Sequence, residues 1–223
     1  MTDILSYLAA VHREVGSRPL PAGEGRTVVL RRSYDAPIED VWDALTDPDR
    51  INRWFLPVTG DFRLGGRYQL QGNAGGEILR CEPPRLLKVT WVFAENPSDA
   101  DITEVEVRLA AADNGQTTFE LEHAAYVDPK MLGEFGPGAV GVGWDLVLLG
   151  LGLYLSNGTS VENPEVWQTT PEAREFMIQS SQAWGAAHEA AGADSAEAAT
   201  AAANTAKFYA PDPTSDNGGS TNS

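Results

Sequence analysis

The chain has little positive charge and almost no cysteine. Its 223 residues include 16 basic residues against 32 acidic ones, which gives a formal net charge of −16 at neutral pH. A field of that sign repels phosphate backbones and anionic lipids, so we expect neither nucleic acid nor a membrane as a partner. The single cysteine, Cys81, excludes an intramolecular disulfide and a multi-cysteine zinc site.

Signatures of common enzymes and cofactor sites are missing as well. The sequence has no G-x-S-x-G elbow, no Walker loop and no H-E-x-x-H motif. Its histidines, His12, His123 and His188, are too scattered in sequence to suggest a metal site. We therefore predict no metal and no cofactor. The first fifteen residues mix charges into an apolar run, unlike a signal peptide, so a cytoplasmic protein is expected.

The longest apolar run covers residues 138–156 and has two interpretations. Its length approaches that of a transmembrane helix, but it contains Asp145 and internal glycines and lacks basic flanks. Trp144, Leu148 and Leu151 recur at helical spacing within it. We therefore predict a buried helix that packs across a sheet.

Five segments of alternating polar and apolar residues precede this helix. They are RYQLQG (67–72), GEILRCE (76–82), LLKVTWVF (86–93), TEVEVRLAA (103–111) and TTFELEHA (117–124). Short turn signals separate them, which indicates an antiparallel meander with one apolar face. A further strand is predicted from Thr27 to Tyr34, followed by a short helix with Pro37 as its first residue.

The two ends of the chain are predicted to extend this domain. Residues 1–24 are predicted to form a helix, with an apolar stripe from Ile4 to Val15, and then a Gly/Pro linker. Residues 158–192 are predicted to form an extra helical segment, and residues 193–223 an Ala-rich stretch followed by a disordered tail. The apolar faces of the terminal helices suit a lid over a groove or a homodimer contact.

Four motifs, taken in order, resemble one known family. They are YDAPIEDVWDALTDPDRINRWFLP (34–57), FRLGGRYQL (62–70), GEILRCEPPRLLKVTWVF (76–93) and GVGWDLVLLGLGLYL (141–155). The chain is similar to the activator of heat-shock-protein-90 ATPase homologue-like (AHSA-type) family, within the START-like (SRPBCC, pollen-allergen-like) helix-grip superfamily. The resemblance implies an α+β fold over residues 26–157, in which a curved antiparallel sheet wraps around a long C-terminal helix.

In a helix-grip fold a cavity opens between the sheet and the long helix, and such a cavity suits a small hydrophobic molecule. The predicted ligand-binding wall consists of residues that the patterns place on the inner face. They are Trp54, Phe55, Trp91, Phe93, Phe119, Leu121, His123, Trp144, Leu148 and Leu151. Each of these residues taken singly is better explained as part of a plain hydrophobic core, whereas the set as a whole favours a cavity.

Three polar residues are candidates for proton transfer if the domain is an enzyme. His123 lies on the side of Phe119, where an imidazole can orient a carbonyl or exchange a proton, or simply be hydrogen-bonded at a strand end. Tyr126 follows shortly and offers a phenol hydrogen. Asp145 would need a partner if it faced the cavity, so we expect it on the outer face of the helix.

Three functions are compatible with these observations. The first, which the apolar inner face favours, is a domain that binds a small hydrophobic molecule without catalysis. The second is a cyclase- or hydrolase-type enzyme, which needs at least two of His123, Tyr126 and Asp145 in one cavity. The third, a co-chaperone that activates the ATPase of heat-shock protein 90, is implied only by the family resemblance.

Overall fold

One antiparallel sheet of eight strands carries the fold, in the order β1-β2-β8-β7-β6-β5-β4-β3. The computed structural model describes residues 4–21, 23–94, 97–159 and 164–211. The strands are β1 His12–Leu20, β2 Gly23–Tyr34, β3 Val58–Gly60, β4 Arg67–Leu70, β5 Gly75–Glu82, β6 Leu86–Trp91, β7 Thr103–Ala111 and β8 Thr117–Ala125. The helices are α1 Ile4–Ala9, α2 Ile38–Thr46, α3 Pro48–Trp54, α4 Pro129–Phe135, α5 Gly138–Asn157, α6 Pro164–Trp167, α7 Pro171–Ala190 and α8 Ser195–Tyr209.

The predicted meander corresponds to strands β4 to β8, each of which pairs antiparallel with the next. On β7 the apolar side chains of Val105, Val107 and Leu109 are buried. Glu104, on the opposite face of β7, forms an ion pair with Lys88 of β6 at 2.8 Å. The alternation therefore separates a covered face from a charged one, and the predicted α+β helix-grip fold is confirmed.

The N-terminal segment differs from its prediction. The helix is confined to Ile4–Ala9, and the following residues form β1, which pairs with β2 at the edge of the sheet. Val15 does not distinguish a helix from a strand. It fits the helical spacing of the apolar stripe and also the alternation of β1. Gly16 is unfavourable inside a helix, and pairing with β2 satisfies the backbone groups of this segment. The predicted linker is therefore part of the β1–β2 hairpin.

The C-terminal segment forms two long helices. α7, within the segment predicted to be helical, begins at Pro171, and the Thr170 side chain accepts a hydrogen bond from the Ala173 N–H. The Ala-rich stretch forms α8, which packs on α7. The predicted disordered tail falls mainly on residues 212–223, which lie outside the described residues.

The apolar faces of the terminal helices pack within the chain. Ile4 and Leu8 of α1 and Phe176, Met177 and Trp184 of α7 belong to the same buried cluster as the inner face of the sheet. These side chains therefore complete the core of one chain. The predicted homodimer contact and lid stay predictions.

α5 is apolar on all sides and lies between the sheet and α7. Within the part of the chain that the structure describes, it is the one helix long and apolar enough to cross a membrane. Leu148, Leu149 and Leu151 are each almost completely buried, as expected of a core helix that is covered on several sides. Gly141 permits this packing, because a Cβ atom there would lie 2.1 Å from the ring of Trp184.

Asp145 is buried, whereas the sequence predicted it on an exposed face. Only 2% of its surface is accessible. Arg13 Nη2 lies 2.8 Å from Oδ1 and Arg13 Nε donates to Oδ2 at 3.1 Å, while Ser180 Oγ (2.5 Å) and Trp184 Nε1 (3.0 Å) also donate to Oδ2. The prediction was wrong because these partners come from β1 and α7, which cover this side of α5.

Asp145 is a carboxylate in this setting. Burial raises its pKa, and the charge of Arg13 and the hydrogen bonds from Arg13, Ser180 and Trp184 oppose that rise. All of these contacts are donors, so the ionised form satisfies them and a protonated form would not. The cluster of these four side chains is called the Asp145 cluster below.

The first prediction concerns the stability that depends on this cluster. Arg13→Met keeps an apolar stem but leaves the buried carboxylate without its counter-charge, so we expect the free energy of unfolding to fall by about 3–5 kcal/mol. Urea denaturation measures this change. Arg63→Met is the control, because Arg63 pairs with Asp61 on the surface and its loss should leave stability nearly unchanged. Equal stability of the two variants would contradict the role assigned to the cluster.

Candidate functional site

A cavity of about 180 Å³ lies between the inner face of the sheet and α5, and is called the apolar cavity below. Its wall is built by β3 to β8, by α2 and α3 at one end, and by one face of α5. The lining residues are Leu45, Thr46, Ile51, Trp54, Phe55, Val58, Phe62, Tyr68, Leu70, Ile78, Cys81, Leu87, Val89, Trp91, Val105, Val107, Phe119, Leu121, Trp144, Val147, Leu148 and Leu151. The helix-grip arrangement therefore leaves a space at this position.

Most of the predicted wall residues line this cavity. They are Trp54, Phe55, Trp91, Phe119, Leu121, Trp144, Leu148 and Leu151. The side chain of Phe93 does not, and is 71% exposed. The reason is that β6 ends at Trp91, so Phe93 lies beyond this strand, with its ring in an edge-to-face arrangement with the Trp91 ring at a centroid distance of 6.5 Å.

Several wall residues were not predicted. Val105 and Val107 lie on the predicted apolar face of β7, and their alternation was a sufficient signal for including them. Phe62 belongs to the β3–β4 loop, where no periodic pattern identifies an inward side chain. Phe62 is 43% exposed, and Cys81 is exposed as well, so these two lining residues mark where the cavity meets solvent.

Four of the polar groups that border the apolar cavity donate their hydrogens within the protein, whereas the indole N–H of Trp91 has no acceptor among the described residues. Tyr68 Oη donates to Thr90 O (2.8 Å), Trp54 Nε1 to Ala44 O (2.8 Å), Thr46 Oγ1 to Trp42 O (2.8 Å) and Trp144 Nε1 to His123 Nδ1 (3.0 Å). Burial also raises the pKa of Tyr68, which keeps this phenol neutral. Among the lining residues, all of which the structure describes, none carries a charge. The wall is therefore suited to an apolar, uncharged occupant.

His123 lies behind the wall of the apolar cavity. Its Nδ1 accepts from the indole of Trp144, and an indole nitrogen can only donate, so the imidazole proton lies on Nε2. Nε2 is 2.9 Å from Thr103 Oγ1, and that hydroxyl donates to Trp91 O at 2.5 Å. This hydrogen-bonded chain joins two cavity-lining residues, Trp144 and Trp91, whose ring centroids are 5.1 Å apart.

The environment of His123 keeps the imidazole neutral. Burial lowers its pKa to about 4, and the positive charge of Arg18 contributes to the same shift. A second proton on Nδ1 would also face the Trp144 N–H instead of accepting from it. His123 is therefore a positioning residue for Trp144, with both ring nitrogens occupied.

The three candidates for proton transfer do not meet in one cavity. Asp145 faces Arg13 on the α7 side of α5. The Tyr126 hydroxyl is buried with no hydrogen-bond partner among the described residues, at a position where a Cβ atom on Gly23 would lie 2.4 Å away. None of His123, Tyr126 and Asp145 lines the apolar cavity.

Comparisons with known proteins agree with this architecture. The family model described as Activator of Hsp90 ATPase homolog 1-like protein matches residues 35–156. The crystal structure of CalU16 from Micromonospora echinospora is 42% identical, covers 81% of this chain and 99% of its own, and has a TM-score of 0.64. The solution structure of CalU16 has the same identity, covers 81% of this chain and 96% of its own, and has a TM-score of 0.66.

A more distant likeness concerns the fold alone. The crystal structure of DynU16, a protein in the dynemicin biosynthetic locus, is 24% identical, with a TM-score of 0.50. It covers 60% of this chain and 48% of its own length. No curated protein matches the chain.

The second prediction concerns the pH dependence that His123 causes. The folded state holds this imidazole with a pKa of about 4, whereas the value for an unperturbed histidine is 6.5. The unfolded chain therefore binds more protons between these values, and folding is weakened as the pH falls through this window. Integrated from pH 7 to pH 4, the loss is about 3 kcal/mol.

Chemical denaturation of the native chain and of His123→Asn across this pH range measures the effect. The asparagine oxygen can accept from Trp144 but does not titrate, so the variant should lose about 3 kcal/mol less stability on acidification. Asp145 and the surface carboxylates are common to both proteins and cancel in the comparison. Parallel pH profiles would contradict the assignment.

Proposed function

Because the chain belongs to the family of activator of Hsp90 ATPase homolog 1-like proteins, we propose that it uses the helix-grip cavity of that family to bind a small, neutral, hydrophobic molecule. One observation carries the proposal: the cavity wall is apolar and uncharged, and four of its polar groups, those of Thr46, Trp54, Tyr68 and Trp144, donate their hydrogens within the protein. Burying a charged or strongly polar group against such a wall would leave it unpaired. A neutral apolar molecule pays no such cost.

The size of the cavity limits the ligand class. Ligand sites commonly have volumes of about 300–1,000 Å³, so a cavity of about 180 Å³ is small. An engineered cavity of about 150 Å³ in another protein accommodates benzene. We therefore propose an occupant of one or two fused rings, or an aliphatic molecule of similar bulk, entering near Phe62 and Cys81.

Binding is preferred to catalysis on the arrangement of the polar groups. General acid–base chemistry needs a titratable group within hydrogen-bond reach of the reacting atoms. His123, Tyr126 and Asp145 lie outside the apolar cavity, and both nitrogens of His123 are occupied. The co-chaperone interpretation has only the description of the family in its support.

The third prediction tests occupancy with naphthalene, benzene and 1-bromonaphthalene. Binding should raise the melting temperature, because a ligand that binds only the folded state stabilises it. 1-Bromonaphthalene should also quench tryptophan emission, since Trp54, Trp91 and Trp144 line the cavity. Val107→Phe places a ring in the empty space, so it should weaken binding at least about tenfold while the variant remains folded. Unchanged affinity in a folded Val107→Phe variant would overturn the assignment.

The fourth prediction uses a matched pair of adjacent leucines. Leu148 lines the apolar cavity and Leu149 does not, although both are 1% exposed. Each leucine-to-alanine change should cost about 2–5 kcal/mol of stability. Only Leu148→Ala should extend binding to a larger molecule such as anthracene, measured by tryptophan quenching. The same extension in Leu149→Ala would show that general loosening, and not cavity size, controls uptake.

A further inference from the structure

A second cavity, of about 410 Å³, lies on the other side of the Trp144–His123 pair. It is bordered by β1 and β2, by the end of β8, by the start of α5 and by the C-terminal end of α7. No residue lines both cavities: Trp144 borders the apolar cavity and His123 borders the second one. The hydrogen-bonded pair of rings is thus the wall between them.

The second cavity has the opposite electrostatic character to the chain as a whole. Acidic residues outnumber basic ones by 32 to 16 in the sequence, yet none of the residues that line this cavity is acidic. Arg26 supplies a permanent positive charge, and Ser17 and Thr27 add hydroxyl groups. Arg26 forms no ion pair with any of the residues that the structure describes.

A histidine beside this charge has an unused nitrogen. His188 Nδ1 is buried, and within the described ranges it has no hydrogen-bond partner. It lies next to Gly136, where a Cβ atom would be 3.1 Å from this nitrogen. Burial and the positive charge of Arg26 lower the pKa of His188, and Glu197 of α8 opposes the shift. A buried polar atom without a partner is costly, and a bound ligand would remove that cost.

The cavity has an exposed rim and a buried floor. Ser17, Arg26 and Gly192 are exposed and form its rim, while Val28 and Pro137 are buried and form its floor. The remaining lining includes the apolar residues Val15, Leu132 and Val140, together with the polar residues Thr27, His123 and His188. A ligand that fits would therefore carry its charge near the rim and an apolar body below.

We propose that this second cavity binds a small carboxylate with an apolar body, the carboxylate lying between Arg26 and His188. A carboxylate suits one guanidinium and one neutral imidazole, because a single negative charge is balanced and both oxygens find donors. A phosphate would bring a charge near −2 to a site with one permanent cation. The apolar body of such a ligand also gains free energy by burial against the apolar residues of the cavity, which a free inorganic anion cannot do.

The two side chains that are proposed to contact the carboxylate lie outside the segment matched by the family model. The family model matches residues 35–156, whereas Arg26 belongs to β2 and His188 to α7. The site is thus independent of the proposed function of the apolar cavity. It arises because the terminal segments are folded against the helix-grip domain.

Benzoate and its neutral analogue benzamide test the proposal by isothermal titration calorimetry on the full chain. Benzoate should bind the native protein, and Arg26→Gln should weaken it about tenfold or more, since a charge-assisted contact is lost. Benzamide should bind the two proteins equally. Arg63→Gln, which removes an exposed arginine that is not part of the cavity lining, should leave benzoate binding unchanged.

Two further variants distinguish benzoate binding in the second cavity from benzoate binding in the apolar cavity. His188→Gln should weaken benzoate, whereas Val107→Phe in the apolar cavity should not affect it. Absence of benzoate binding, or equal affinity in Arg26→Gln and Arg63→Gln, would overturn the proposal. Loss of benzoate binding in Val107→Phe alone would also overturn it, because benzoate would then occupy the apolar cavity. Failure of naphthalene to bind would contradict only the proposed function.

Discussion

The fold depends on how one buried carboxylate is satisfied. Asp145 lies in the middle of an apolar helix, where a charge left without its partner would cost about 3–5 kcal/mol, a large part of the net stability of a typical domain. Its donors come from both ends of the chain: Arg13 from β1, and Ser180 and Trp184 from α7. Both terminal segments therefore stabilise the burial of α5 against the helix-grip domain.

The same contacts explain why a cavity remains beside α5. On its α7 side the helix is fixed by the Asp145 cluster and by the close approach of Gly141 to Trp184. On the sheet side Trp144 is held by His123, which is itself hydrogen-bonded to Thr103 of β7. Moving α5 toward the sheet to close the space would break polar contacts that water could not replace. The cavity is thus maintained by directional bonds, whereas dispersion forces alone would favour closure.

The sequence predicted those features that depend on local pattern, and it missed those decided by distant partners. Alternation identified β4 to β8, and helical spacing identified Trp144, Leu148 and Leu151 as one face of α5. Asp145 was misassigned because nothing near it in the sequence reveals Arg13, which is 132 residues away. His123 was correctly placed on the inner side of its strand, but the indole of Trp144 separates it from the apolar cavity. Such separation depends on three-dimensional packing, which periodicity does not encode.

The two cavities differ in whether their polar groups already have hydrogen-bond partners within the protein. Around the apolar cavity the polar hydrogens of Thr46, Trp54, Tyr68 and Trp144 are already donated. An occupant therefore gains mainly by leaving water and contacting the wall, which favours neutral molecules and tolerates variation in shape. In the second cavity the Arg26 guanidinium and His188 Nδ1 lack partners among the described residues. An occupant therefore gains most by supplying hydrogen-bond acceptors to these two groups, and the site selects for a negatively charged ligand. The Trp144–His123 pair borders both cavities. Keeping its imidazole neutral is therefore a shared requirement, because protonation would break the hydrogen bond that separates an apolar site from a charged one.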